Sequence, residues 1–346
     1  MNNISIIFIS QEDVAEVFKG NADALFEVIE DAFLKYLHGD VLFPDKISQI
    51  FDQKTQNRIN CMPATLLGED MVCGMKWVSV FPTNAPKGIQ NVTGVMVLSE
   101  IEKGFPIAII DGTLATKMRT SAVGCVAAKY LAPSKVEKIG IIGSGEEARM
   151  HFALLKHLFP AIKECRVSSR SASSEEAFIV KFKDITKDVE FISCGNDSHK
   201  CAADADIIVT AISGQAPVLK AKDVTKGSLY IHVGGWEDEY EVALKAKKIV
   251  CDDWEASKHR TQTICRMYRE GILKDHDIYA NLSDLISGRK KGRENDDEFI
   301  YFNSVGLSYI DLNFANYIYK EAVERGLGKD VVLAESNMVD YSALIY

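Results

Sequence analysis

No apolar run in this sequence approaches the ~18 residues that a membrane span requires. The opening MNNISIIFISQEDV carries only about six apolar residues in a row and no cationic stretch before them, so it predicts a first β-strand rather than a secretory leader. Positive charge is not in excess: 40 Lys and Arg against 49 Asp and Glu leave a net charge of -9, with no basic field to hold a phosphate backbone. That balance excludes nucleic acid as an expected partner. The eight cysteines stand singly, without the C-x-x-C spacing of zinc or dithiol sites, and read as reduced thiols of a cytoplasmic protein. Metal spacing is missing among the seven histidines as well. His151 and His157 fall on different faces of one predicted helix, and with His232 they read as structural residues, so no metal is expected. Gly-x-Ser-x-Gly is also absent, and no cysteine has a companion His at a suggestive spacing, which removes the usual nucleophile signatures.

What is present is the composition of a folded chain, 47% apolar and 26% charged over 346 residues, long enough for two domains. Up to about residue 120, short alternating segments such as Met71–Val80, Thr93–Leu98 and Pro106–Ile110 are separated by Gly-Pro-Asn clusters, as in a mostly antiparallel sheet, with one amphipathic helix over 21–34 before them. From Lys138 the pattern changes to strands alternating with helices: KIGIIG, CRVSS, VEFIS, ADIIVTAI, SLYIHVG and AKKIVCDD. The expected fold class is therefore α/β, a Rossmann-type doubly wound parallel sheet over 121–311, joined to an α+β domain made of 1–120 with 312–346. A tail helix over 317–326 is expected to pack back on the first half, and Ser287–Asp297 reads as a charged loop.

In Ile139-Gly-Ile-Ile-Gly143-Ser144-Gly145-Glu146-Glu-Ala148 a β-rich strand runs into G-x-G-x-x-A and then a helical pattern. Gly143 permits the tight turn, Gly145 lets the backbone approach a pyrophosphate, and Ala148 lets helix and strand pack closely. Gly143, Ser144, Gly145, Glu146 and Ala148 are thus expected to hold a dinucleotide at the positive helix end. Thr210 and Ser213, at the end of ADIIVTAIS, are expected to line the same site. The second strand ends at Ser168-Ser169-Arg170 without the acid that would bind the ribose 2′-hydroxyl of NAD, and Ser169 with Arg170 suits a 2′-phosphate instead. The expected cofactor is NADP or NAD, with a lean to NADP.

Four cations lie beside strand or turn signals in the first half: Lys46, Arg58, Lys76 and Arg119. Lys76 interrupts an apolar strand, so its ammonium must face an anion, either a ligand carboxylate or a structural acid such as Asp111. Arg119 falls where the first half hands over to the second; its plainer reading is a helix-surface residue.

Taken together, Arg58…Met62-Pro63-Ala64, Gly74-x-Lys76-Trp77-Val78, Met118-Arg119-Thr120, Gly143-x-Gly145-x-x-Ala148 and Asn303-Ser-Val-Gly306…Asp311 resemble the ornithine cyclodeaminase/mu-crystallin family over nearly the whole chain. The resemblance implies a homodimer joined through the first-half sheets and a small amino-acid-like substrate. It implies that Lys46, Arg58, Lys76 and Arg119 hold the substrate carboxylate, with Lys76 also catalytic, beside the reacting carbon and assisting proton transfer. It further implies a nicotinamide-dependent oxidoreductase acting on the Cα–N bond, by dehydrogenation to an imine and hydrolysis or by the reverse reduction. Within the family, Arg58-Ile-x-x-Met-Pro, Val250-Cys-Asp252-Asp253-Trp254 and Gly292-Arg-Glu look most like the branch that releases 2,3-diaminopropionate from N-(2-amino-2-carboxyethyl)-L-glutamate. Cyclodeamination of ornithine, reduction of a cyclic ketimine, and plain NADPH binding of the mu-crystallin kind are the alternatives. Where cyclodeaminases carry a catalytic Asp, this chain has Trp236, followed by Glu237 and Asp238, which become the expected catalytic acids. No role is implied for Asp311 beyond a helix cap.

Overall fold

A computed structural model describes residues 3–334 together with Ser342 and Ile345. The chain forms two compact units. One comprises residues up to Gly20, His38–Thr116 and the segment from Ser308 onward; the other comprises Asn21–Leu37 and Lys117–Leu307.

The second unit is built on an eight-stranded sheet. Its strands run in the order Glu190–Ser193, Glu164–Ser168, Lys138–Ile142, Ile207–Thr210, Leu229–His232, Ile300–Asn303, Lys248–Cys251 and Ala280–Asn281. All neighbours are parallel. Buried on both faces, its central strands are continuous apolar runs such as Ile207–Val209, as a doubly wound sheet requires. Connections leave Lys138–Ile142 in one direction and return on its other side, so the switch point lies between that strand and Ile207–Thr210. Ligands of such sheets sit outside the carboxyl ends of the strands at this crevice.

The first unit is also built on an eight-stranded sheet, here largely antiparallel. In the pair Asn57–Leu66 and Val72–Val80, Met62 stands opposite Lys76 and Arg58 opposite Val80. Period-two alternation puts Arg58, Asn60, Met62 and Lys76 on one face, and the helix Ser308–Arg325 packs across it. Close approach there needs Gly74: a Cβ on it would sit 2.7 Å from Leu312 Cδ1 and 2.3 Å from the Val97 carbonyl oxygen. The tail helix therefore starts at Ser308 rather than near 317, because its first turns are apolar and buried on this sheet. The opposite face carries the half-exposed Trp77 and Val95, while the flanking strand Ile47–Asp52 exposes Ile47, Ile50 and Phe51.

One assignment differs from the sequence pattern. The helix Asp23–His38, expected with the first half, has its contacts in the second unit, where Glu30 takes Lys129 Nζ at 2.6 Å and Asp23 takes His157 Nε2 at 2.7 Å. Its apolar face fits the doubly wound unit, and local periodicity carries no record of which partner a helix will choose.

Candidate functional site

The glycine turn is built as the motif demands. Gly143 has φ +117°, and a Cβ there would lie 2.4 Å from the Ala211 carbonyl oxygen, so only glycine fits. Gly145 has open space around its Cα and N-caps the helix Glu146–Leu158 with no side chain on the first amides. Those free amides and the positive helix end form a cradle that fits a pyrophosphate. Ser144 and Ala148 are buried against the turn, and Glu146 is exposed, holding Arg149 at 2.6 Å.

After the second strand, Ser169 is half-buried and Arg170 is exposed. An acid is present here that sequence reasoning missed, but it is already engaged. Glu175 is fully buried and its carboxylate accepts the amides of Ser169 at 2.6 Å and Gly195 at 2.9 Å and the hydroxyl of Ser193. It braces the loop from beneath, leaving Ser169 and Arg170 as the groups displayed.

Thr210, Glu237 and Asp238 are placed differently from expectation. All three are completely buried. Glu237 Oε1 accepts the Ile212 amide at 2.7 Å, and its Oε2 accepts the Thr210 hydroxyl at 2.7 Å and the Gly234 amide at 2.9 Å. It thereby ties together the loops that follow two adjacent strands at the carboxyl edge. Asp238 Oδ1 accepts Thr263 Oγ1 at 2.7 Å and the Tyr301 hydroxyl at 3.1 Å, with His232 Nε2 at 3.5 Å. The groups expected as catalytic acids, Glu237 and Asp238, and as a cofactor ligand, Thr210, thus spend these hydrogen bonds on bracing the carboxyl-edge loops of the second unit. Ser213 stands exposed in the loop after Thr210. Trp236 is half-buried, and the Arg266 guanidinium lies over its ring at 4.5 Å, a stacked cation–π pair.

In the first unit, Lys76 is buried and its Nζ is 2.6 Å from Asp311 Oδ1, both side chains at most 2% exposed. Asp311 lies one turn inside the helix Ser308–Arg325 and is no cap. Nor is Asp111 the partner of Lys76: its carboxylate accepts the amides of Thr113 and Leu114 and caps the helix Gly112–Leu131. Arg58 shares the face of Lys76, and burial pulls its guanidinium below its ordinary pKa. Lys46 is half-buried in the loop after Phe43, whose ring packs edge-on against Tyr309 of the same helix at 5.0 Å. The first unit therefore sets Arg58 and Lys76 on the sheet face that the helix Ser308–Arg325 covers, with the Lys46 loop packed through Phe43 on the first turn of that helix. Arg119 belongs to the second unit and is 5% exposed, which removes the helix-surface reading.

Among the described residues no group of three or more His, Cys, Asp and Glu is placed to hold a metal ion, and no helix is long and apolar enough to cross a membrane.

Comparison with known proteins follows the same lines. The model of the ornithine cyclodeaminase/mu-crystallin family matches residues 7–326. The alanine dehydrogenase of Archaeoglobus fulgidus is 32% identical over 329 residues, covering 94% of this chain and 98% of that protein. The N-((2S)-2-amino-2-carboxyethyl)-L-glutamate dehydrogenase of Staphylococcus aureus is 25% identical over 332 residues, covering 94% and 98%. Among solved structures, the Δ1-pyrroline-2-carboxylate reductase of Thermococcus litoralis, in complex with NADH and L-proline, is 28% identical with a TM-score of 0.88, over 94% of this chain and 100% of that one.

Two outcomes follow from the buried acids. Asp311→Ala leaves the Lys76 ammonium buried without its carboxylate and is expected to cost roughly 3–5 kcal/mol, because breaking a buried pair from one side is strongly destabilising. Replacing both residues by Lys76→Met and Asp311→Leu should recover most of that loss, and urea unfolding measures it. A loss below about 1 kcal/mol for the single variant, the scale of an exposed pair, would contradict the role given to the pair. Burial also pushes Asp238 from 3.8 up to about 6. An acid that holds its proton more tightly when folded favours folding below about pH 4 and loses that contribution as pH rises through about 6. Asp238→Asn keeps the acceptor toward Thr263 and Tyr301 and removes the titration. The stability of the natural protein relative to this variant should therefore fall across that window; a flat difference in urea midpoints would count against it.

Proposed function

The chain belongs to the ornithine cyclodeaminase/mu-crystallin family, and from that premise we propose that it is a nicotinamide-dependent oxidoreductase acting on the Cα–N bond of an amino acid or N-carboxyalkyl amino acid. The observation that carries this reading is Lys76, a fully buried cation held by Asp311 on the same sheet face as Arg58. A dinucleotide-binding protein without chemistry has no need of such a cation set.

In the oxidative direction the bond from Cα to hydrogen breaks and the hydride leaves with its electron pair, the amino nitrogen gives up a proton, and a C=N bond forms. Water then adds to the imine carbon and the C–N bond breaks, releasing a 2-oxo acid and an amine. A bound nicotinamide supplies the two-electron acceptor. Gly143, Gly145 and the first turn of Glu146–Leu158 would hold its pyrophosphate. Lys46, Arg58 and Lys76 in the first unit, and Arg119 in the second, are the groups proposed for a substrate carboxylate, and positioning of this kind is worth several kcal/mol of barrier. Lys76 serves as a fixed positive charge, oriented by Asp311. Binding and orientation are the protein's share of the work.

Among substrates, an N-carboxyalkyl amino acid such as N-(2-amino-2-carboxyethyl)-L-glutamate suits so many cations, with Arg266 on Trp236 adding one more at the carboxyl edge of the nucleotide unit. Reduction of a cyclic ketimine is the second reading, favoured by the likeness to the Thermococcus litoralis reductase. For the cofactor, Ser169 and Arg170 stand where a 2′-phosphate would arrive while Glu175 is occupied beneath them, which supports acceptance of NADP(H) beside NAD(H). The apolar outer face of the first-unit sheet, with Trp77, Val95, Ile47 and Phe51, supports a homodimer. Eight free cysteines suit a reducing, cytoplasmic setting.

A panel of L-alanine, L-proline and N-(2-amino-2-carboxyethyl)-L-glutamate with NAD+ and NADP+, and of Δ1-pyrroline-2-carboxylate with the reduced cofactors, tests the reading through absorbance at the nicotinamide band. Turnover of at least one is expected, and activity on none at any pH would overturn it in favour of a binding protein. Lys76→Ala should reduce turnover by at least about a hundredfold, in the range lost when a reacting group is mispositioned, with cofactor affinity unchanged. Arg170→Ala should raise KM for NADP+ about tenfold, the worth of one charge-assisted contact, and leave that for NAD+ unmoved. Equal effects on both cofactors would reject the 2′-phosphate role.

A further inference from the structure

Asp252 follows the last residue of the strand Lys248–Cys251 and is 1% exposed. Among the described residues no cation faces its oxygens. Oδ2 accepts two successive amides, Val305 at 2.7 Å and Gly306 at 2.9 Å, and Oδ1 accepts the amide of Asp253 at 2.9 Å. A carboxylate that binds consecutive amides fixes the peptide planes between them. Here it fixes Gly306, which has φ +85°. What lies on the far side of Gly306 is the Arg119 guanidinium: a Cβ on Gly306 would meet Nη1 at 2.7 Å, Nη2 at 3.1 Å and Cζ at 3.3 Å. Contact with all three atoms means that the guanidinium lies against the bare Cα. Asp252, the 305–306 amides and Arg119 form one continuous stack inside the second unit.

We propose that Asp252 is a positioning residue for Arg119: by clamping the amides of Val305 and Gly306 it holds the glycine as the platform that sets the Arg119 guanidinium for a substrate carboxylate. The inference rests on the reading of Arg119 as a carboxylate-binding group. Glycine is required at 306 on two counts, the left-handed φ and the space occupied by Arg119. An amide at 252 cannot substitute for the carboxylate, because its NH2 must face either the Asp253 amide or the pair at 305–306, donor against donor. The glycine turn at Gly143 follows a strand three spacings from the one before Gly306 and four from the one before Asp252, about 14 and 19 Å at the usual inter-strand distance, so the clamp leaves the pyrophosphate cradle alone.

The test compares Asp252→Asn, Gly306→Ala and Arg119→Gln by titrating pyruvate, a 2-oxo acid carrying one carboxylate, into the NADH-loaded protein, with NADH affinity measured on each variant. All three are expected to weaken pyruvate at least about tenfold, the scale of a lost charge-assisted contact, while NADH affinity stays within about twofold. If Arg119→Gln weakens pyruvate but Asp252→Asn and Gly306→Ala do not, the positioning role is overturned and the carboxylate reading stands. If pyruvate does not bind the natural protein, or Arg119→Gln leaves it unchanged, the carboxylate reading fails and the proposal with it. A merely structural role for Asp252 would instead lower NADH affinity and pyruvate affinity together, and that result also rejects the proposal.

Discussion

The first unit depends on one interaction: a lysine and an aspartate, 235 residues apart in sequence, meeting at 2.6 Å in a buried setting. Removing two charges from water carries a penalty of several kcal/mol per ion, repaid only when geometry is close and fixed. The constraint runs outward from there. Lys76 has to be on the covered face of its strand, the helix Ser308–Arg325 has to lie across that face at a set height, and residue 74 has to be glycine for the helix to come near enough. A hydrophobic pair would give at least as much stability, which is why an ion pair here argues for chemistry.

The second unit repeats the device with different partners. Glu175, Glu237 and Asp252 are buried carboxylates, and each takes two or more backbone amides from loops at the carboxyl edge of the sheet. Backbone amides are donors that cannot rotate away, so an acid bound to two of them sets loop geometry more firmly than a side-chain partner does. The loops so held carry Ser169 and Arg170, Ser213 and Trp236, and Gly306 under Arg119. The groups that these loops display stand on carboxylates buried beneath them.

Much of this was legible in the sequence where the cause is local. Gly143, Gly145 and Ala148 announce their site because turn, cradle and helix start lie within six residues, and strand–helix alternation announces the parallel sheet. Lys76 announced that it needed an anion, since no strand interior tolerates a bare ammonium. Its partner was hidden because Asp111 lies nearer in the chain while Asp311 is reached only through tertiary packing. Glu237 and Asp238 meet the same limit: residue type and proximity to a family position are visible in a sequence, whereas burial and the direction of a carboxylate are not. Asp252 gave one faint signal, an acid just past the end of an apolar strand. The helix Asp23–His38 declared its amphipathic face and nothing about which unit it would cover.

For the carboxylate-binding role proposed for Lys76, its pairing with a carboxylate of the protein also bears on turnover. A bare buried ammonium would attract any carboxylate strongly, substrate and product alike, and uniform binding of that kind lowers KM without accelerating the chemical step. Asp311 cancels much of the Lys76 charge at a distance while leaving its direction fixed, so the residual attraction is short-ranged and depends on where the incoming group sits. Such an arrangement favours the geometry of the reacting centre over grip on the ground state, and preorganised charge of this sort costs no rearrangement when the reaction occurs.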